Sequence, residues 1–301
     1  QVKSQHEFKR FINIGKKNSS EYKVDSCLFS MYSHGISTNR DLVVYDFGSD
    51  RLAQRMKQFS SEFNAEVDRY RREEFPKDID DFLEGSELKW SRNLKSELKR
   101  TNYINYDKLH IRHCLYRPFT KRFVYFDDIA VDERGRFPLI TPTSDAENLV
   151  INISDIAYRS NTFSTIVTKT PVDLHVCSTL DGHQCFPFYI YNEDGTNRRE
   201  NITDWALAQF RKQYETGKGK AKSAITKDAI FHYVYGVLHD PVYREKYALN
   251  LKREFPRIPF YPDFWKWAEW GKQLMDLHIG YEAVEPWPLD RLDTPDEKAR
   301  A

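Results

Sequence analysis

The chain is nearly without net charge: its 301 residues hold 46 Lys and Arg against 45 Asp and Glu. That balance excludes a uniformly basic surface and leaves segregated charge as the only route to a positive groove. Cysteine is scarce, and Cys27, Cys114, Cys177 and Cys185 show neither CxxC nor Cys/His metal spacing. Four such thiols fit a reduced, cytosolic protein. No run approaches the roughly 18 apolar residues of a membrane-spanning helix, and no secretory signal pattern is visible. The chain opens on Gln1 in mid-pattern, which is expected of a C-terminal piece cut from a longer protein.

Aromatic residues are plentiful: 18 Tyr, 20 Phe and 6 Trp. So many rings exclude a disordered chain and call for a packed core. The charges are also sorted. Residues 78–87 are acidic, whereas residues 89–136 carry twelve Lys and Arg against six Asp and Glu. Residues 211–227 add Arg211, Lys212, Lys218, Lys220, Lys222 and Lys227 against Glu215 alone.

Periodicity divides the chain into three parts and a tail, giving an α+β fold. Residues 1–102 form a helical linking segment, 103–195 a β-rich antiparallel or mixed core, 196–285 a helical part, and 286–301 a loose tail. In the first part, residues 38–48 read as a loop entering a strand over Leu42–Tyr45. Leu52, Met56, Phe59, Phe63, Val67 and Tyr70 then make one apolar stripe on a helix from Ser49 to about Glu74. A second helix is expected from Ser86 as N-cap to Arg100. Strands are expected over 111–116, 121–126, 148–153, 163–168, 173–178 and 185–191. Thr203 and Thr226 should cap helices, and Asp240-Pro241 should start another. A Trp-rich helix is expected over 263–279.

Tyr116–Phe126 alternates basic and aromatic side chains around Pro118. Two readings stay open there: a nucleic-acid-facing strand or a half-buried one with charged outer positions. Asn39 and Arg40 lie in a loop whose side chains suit adenine and guanine, though an Asx-turn with an ion pair explains them equally. Lys89, Arg92, Lys95, Lys99 and Arg100 recur near helical spacing, as a solvated face or a phosphate-tracking one. Arg117 fits a structural tie between strands as well as a DNA contact.

Other motifs favour plainer readings. GKGKAKS (217–223) lacks the spacing of a phosphate loop. Asp173 and His175, near Ser164, Cys177 and Ser178, come with no nucleophile elbow. Asp127-Asp128 and Asp132-Glu133 read as solvated turn charges.

Taken together, several stretches resemble the C-terminal specificity region of type ISP restriction-modification enzymes. They are GISTNRDLVVYDF (35–47), FNAEVDRYR (63–71), KWSRNLKSELKR (89–100), IRHCLYRPFTKRFVYFD (111–127), TKTPVDLHVCS (168–178), QCFPFYIY (184–191), the run 225–260 and WGKQLMDLHIGYE (270–282). The resemblance implies a reader of double-stranded DNA in the bacterial cytoplasm, linked to an upstream adenine methyltransferase domain. It implies no catalytic residue and no cofactor here; S-adenosylmethionine, ATP and Mg2+ would serve the parent protein. On that reading Lys89, Arg92, Lys95, Lys121, Arg122, Lys218 and Lys220 hold phosphates. Arg136, Arg159, Asn161 and Lys169 are then candidates for base contacts, with Asn39 and Arg40. Tyr116, Phe119 and Phe123 are expected in the core. The rival reading is a scaffold that docks methyltransferase and ATPase domains without touching DNA, betrayed by an exposed apolar patch in place of a positive cleft.

Overall fold

In the computed structural model, residues 2–15, 26–157, 159, 162–215 and 223–289 are described. Helix α1 (Val2–Phe8) and strands β1 (Ile12–Asn13) and β2 (Ser33–His34) come first. Helix α2 (Asp41–Val44), strand β3 (Tyr45–Asp46) and helices α3 (Ser49–Arg72), α4 (Ile79–Phe82) and α5 (Arg92–Lys99) follow. The middle holds β4 (Ile111–Arg117), β5 (Thr120–Tyr125), α6 (Phe137–Ile140), β6 (Val150–Ser154), β7 (Thr165–Thr168), β8 (His183–Pro187), β9 (Tyr189–Ile190) and β10 (Arg199–Glu200). Last come α7 (Asp204–Tyr214), α8 (Lys227–His239), α9 (Pro241–Lys246), α10 (Ala248–Arg253), β11 (Arg257–Ile258) and α11 (Phe264–Ile279).

The fold is α+β, and the strand pairs within its sheets are antiparallel. A four-stranded sheet runs β2-β8-β6-β7, and a three-stranded one runs β3-β5-β4. Strands β6 and β8 are buried along their whole length. Their two-residue alternation feeds two different cores. Ile151, Ile153, Val167 and Phe186 pack with Phe210 of α7, Phe231 of α8 and Met275 of α11. Val150, Ile166 and Cys185 face the other way, toward the Leu52–Tyr70 stripe of α3, Leu94 and Leu98 of α5, and Cys114 and Val124. The same alternation therefore sets a helical layer on either side of the sheet.

Local chemistry fixes the helix starts. The Thr203 hydroxyl accepts from the Ala206 amide, and Thr226 from Ala229, each at 3.1 Å. Asp240 caps α9 by accepting from Val242 at 2.9 Å, with Pro241 in the first turn. These are the caps expected from sequence.

Three local expectations are corrected. The second helix starts at Arg92, because Ser91 accepts from the Leu94 amide at 3.2 Å. Ser86 instead accepts from the Trp90 indole and donates to Glu66. Asp41–Val44 form a helical turn before β3; the Thr38 hydroxyl bonds the Asp41 carboxylate and also accepts from the Arg40 amide. Residues 173–178 form no strand. The Asp173 carboxylate takes the His175 amide at 2.9 Å, an Asx-type bond that turns the chain away after single bridges at Val172 and Asp173.

Candidate nucleic-acid interface

Strand β5 supplies the centre of the site. It is the middle strand of its sheet, so its neighbours on both sides meet its side chains. A cleft of about 530 Å³ opens beside it, walled by Phe47, Leu115, Phe123 and Val167. Lys121, Arg122 and Lys169 converge on this cleft from β5 and the turn after β7, with Thr168 and Thr170 beside them. His278, Tyr281 and Glu282 close it from the end of α11.

Each cation is held differently. Lys121 pairs with Glu282 at 2.5 Å and lies 4.9 Å from the Tyr281 ring centre. That bond keeps the Glu282 carboxyl below its usual range. Arg122 sits 4.1 Å from the Tyr116 ring and 4.5 Å from the Phe47 ring, a cation–π arrangement. Its Nε is buried without an acceptor. Lys169 is exposed at the cleft rim. Among the described residues neither Arg122 nor Lys169 has a carboxylate partner. His278 Nδ1 and the Tyr235 hydroxyl share a hydrogen bond of 2.6 Å, and that hydroxyl also accepts from the Val167 amide. Burial first, and the Arg244 charge second, lower the His278 pKa and favour the neutral ring. The cleft thus offers unneutralised cations and aromatic surface, which suit a phosphate chain and stacked rings.

The other anticipated residues are scattered. Arg92, Lys95 and Lys99 share a shallow groove on α5 with Asp80, which pairs with Lys95. Lys89 is exposed just before that helix, and Arg136 is exposed at the start of α6. Arg159 is exposed but bound to Asp181, by its backbone amide at 2.8 Å and its Nε at 2.9 Å. Asn39 is exposed in a left-handed conformation, and its amide donates to Asp132 at 2.6 Å. Asn161, Lys218 and Lys220 lie outside the described residues.

Arg40 requires a correction. It is 2 % exposed, and its fork donates to the Ala130 carbonyl, the Ser91 hydroxyl and Asp132 Oδ1. A guanidinium so enclosed ties α5 to the 130–132 loop and is not available to a base. Asp132 and Asp127 are therefore not solvated charges either. Asp127 accepts from the Ile129 and Ala130 amides and pairs with His110. Burial works to raise its pKa, yet these bonds prevail and lower it. Arg117 proves structural: it bonds Asp173 at 2.6 Å and stacks on Tyr116 at 3.9 Å. Phe119 is not in the core. It stands 46 % exposed at the β4–β5 turn, edge-on to His278 and Tyr281.

No hydrolytic constellation forms around Asp173 and His175. The carboxylate is occupied by Arg117, Tyr45 and the His175 backbone, while the imidazole faces the Asp181 carbonyl at 3.4 Å. Among the described residues, no group of three or more His, Cys, Asp or Glu is placed to hold a metal ion. No helix among them is long and apolar enough to cross a membrane.

Phe47, His278, Tyr281 and Glu282, with His113 that also lines the cleft, escaped sequence reasoning as site residues. They come from separate parts of the chain; the stretches 35–47, 111–127 and 270–282 contain them only as part of the family resemblance.

The fold is thus an antiparallel α+β module that carries a cationic, ring-walled cleft. The chain belongs to the Type ISP C-terminal specificity domain family, whose model matches residues 27–301. Among solved structures it is similar to DrdV in a cryo-EM DrdV–DNA complex, at 35 % identity and TM-score 0.82, over 98 % of this chain and 28 % of that one. It is similar to a nuclease-deletion mutant of the Type ISP restriction-modification enzyme LlaGI in complex with a DNA substrate mimic. There the identity is 27 % and the TM-score 0.75, over 94 % of this chain and 24 % of that one. The ATP-dependent Type ISP enzyme LlaBIII bound to DNA gives 25 % and 0.75, over 95 % of this chain and 17 % of that one. The chain thus spans less than a third of each of these neighbours. No curated protein matches it.

Proposed function

We propose that the chain recognises a specific sequence in double-stranded DNA as part of a bacterial restriction-modification enzyme in the cytoplasm. Its role is to place the target adenine before an upstream methyltransferase domain. The observation that carries this reading is the cleft beside β5. There Arg122 and Lys169 stand without carboxylate partners among the described residues, beside aromatic walls, in a family whose similar solved structures are DNA-bound. S-adenosylmethionine, ATP and Mg2+ are assigned to the parent protein, as are methylation, translocation and cleavage.

Phosphate contacts from Lys121, Lys169 and the α5 cations would set position, while a few side chains read base edges. Titration of the chain with duplex DNA over a salt series tests this: affinity should fall steeply as salt rises. No binding at low salt would overturn it.

One observation supports the docking reading as an additional role. An apolar groove between α8 and α11, lined by Trp267, Trp270, Leu274 and Leu277, is open at the surface, with Trp270 42 % exposed. A neighbouring part of the parent protein would cover it.

A further inference from the structure

We propose that Arg122 reads a guanine, its two terminal nitrogens donating to O6 and N7 in the major groove while Lys121 and Lys169 hold the flanking phosphates. This rests on the DNA-binding reading above and assigns one base to one side chain.

The sheet builds the reader. Arg122 lies opposite Cys114 on β4. Asp46 pairs with Phe123 on the other side, so Phe47 continues the line of β3 toward Arg122. Tyr116 falls where the β4–β5 register shifts, between Leu115 and Arg117, and its ring meets Arg122 there. The guanidinium is thus clamped by a ring from each neighbouring strand, at 4.1 and 4.5 Å.

The Tyr116 plate is itself fixed. Its hydroxyl donates to Asp41 Oδ2 at 2.9 Å, its ring packs edge-on against Tyr45 at 4.8 Å, and Arg117 stacks on it. Side-chain freedom is spent before any ligand arrives, and the planar fork keeps one direction. Burial of Nε leaves the two terminal nitrogens as the usable edge. That edge matches the paired acceptors of guanine.

One observation favours a base edge over a phosphate at Arg122. The walls are Phe47, Leu115, Phe123 and Val167, so a fully charged group would lose hydration on entry. Lys169 at the rim is a point charge on a flexible stem, which is what phosphate contact requires.

The experiment is selection of duplexes from a random library by the chain and by its R122A and R122K variants, followed by sequencing. Wild type should enrich a motif with at least one invariant guanine, and both variants should lose roughly 10- to 100-fold preference at that position alone. Replacing that guanine by 7-deazaguanine should weaken wild-type binding by a similar factor and leave R122A unaffected. This second measurement stands even if a variant folds poorly, because it changes only the DNA. If R122A keeps every preference and loses affinity equally for all sequences, Arg122 holds a phosphate and the inference fails. If 7-deazaguanine at each invariant guanine leaves wild-type binding unchanged, it fails as well. If wild type binds duplex but enriches no motif, sequence reading by the chain fails, and the inference with it. If wild type binds no duplex at all, the DNA-binding reading itself is lost.

Discussion

Lys121 on β5 and Glu282 in the turn after α11 form an ion pair that joins the hairpin to the last helix. The ammonium at the cleft is therefore already neutralised, although both groups remain partly open to solvent. Exposed pairs of this kind are weak and screened by solvent, so a phosphate can displace the carboxylate. E282Q should raise affinity for duplex DNA several-fold at low salt, equally for all sequences. Unchanged or weaker binding in a titration would show that Lys121 does not meet the DNA.

Arg40 and Asp132 make the opposite kind of pair. Both side chains are almost fully buried, at 2.7 Å. Truncating one partner strands the other charge, at a cost of about 3–5 kcal/mol. R40A should lower the unfolding free energy from urea titration by that amount. Lysine should rescue only part of it, because an ammonium cannot span Ala130, Ser91 and Asp132 as a fork does. Normal stability with lost DNA binding would return Arg40 to the interface.

The contrast marks what was legible in the sequence. Helix caps were, because Thr203, Thr226 and Asp240 act on amides two or three residues away. The α3 stripe was, because period alone specifies it, and strands β4 and β5 were, because short β-branched and aromatic runs mark them. The burial of Arg40 was not, since its partner Asp132 lies 92 residues on. The cleft was half legible: Lys121, Arg122 and Lys169 were candidates, but only sheet order and the packing of α11 bring them together with Phe47 and His278. A cation in a basic run looks the same whether it pairs, stacks or stays free.

Helices α8 and α11 meet backbone to backbone. A Cβ placed on Gly271 would lie 1.8 Å from the His232 carbonyl oxygen, and one on Gly236 would lie 2.7 Å from that of Trp267. Neither contact can yield by moving a side chain. G271A should therefore cost about 3 kcal/mol through forced separation of the helices, read as a fall in thermal midpoint. A neutral G271A would contradict the close crossing.

Acid should weaken the fold above the carboxylate range. Burial first lowers His183 to about 4, with His34 and His175 adding repulsion; its bond to the Leu174 carbonyl and the Asp155 charge pull the other way. Burial likewise lowers His239 to about 4, beside Arg244 and His278, against its bond to the Tyr235 carbonyl. The unfolded chain takes up these protons near pH 6.5, the folded chain only near 4. Stability should therefore fall as pH drops from about 6.5 to 4, by on the order of 2 kcal/mol per histidine at pH 5. Urea unfolding at pH 7 and pH 5 checks this, and H183Q should flatten the slope by one proton. An unchanged slope would mean that His183 is not buried in its neutral form.

The central claim is that DNA lies in the cleft beside β5. Its most direct test is the salt dependence of duplex binding for the chain and for a K121A/K169A variant. If both lysines hold phosphates, the slope of log affinity against log salt should shrink by about 2. An unchanged slope in a folded variant would place the DNA elsewhere on the protein.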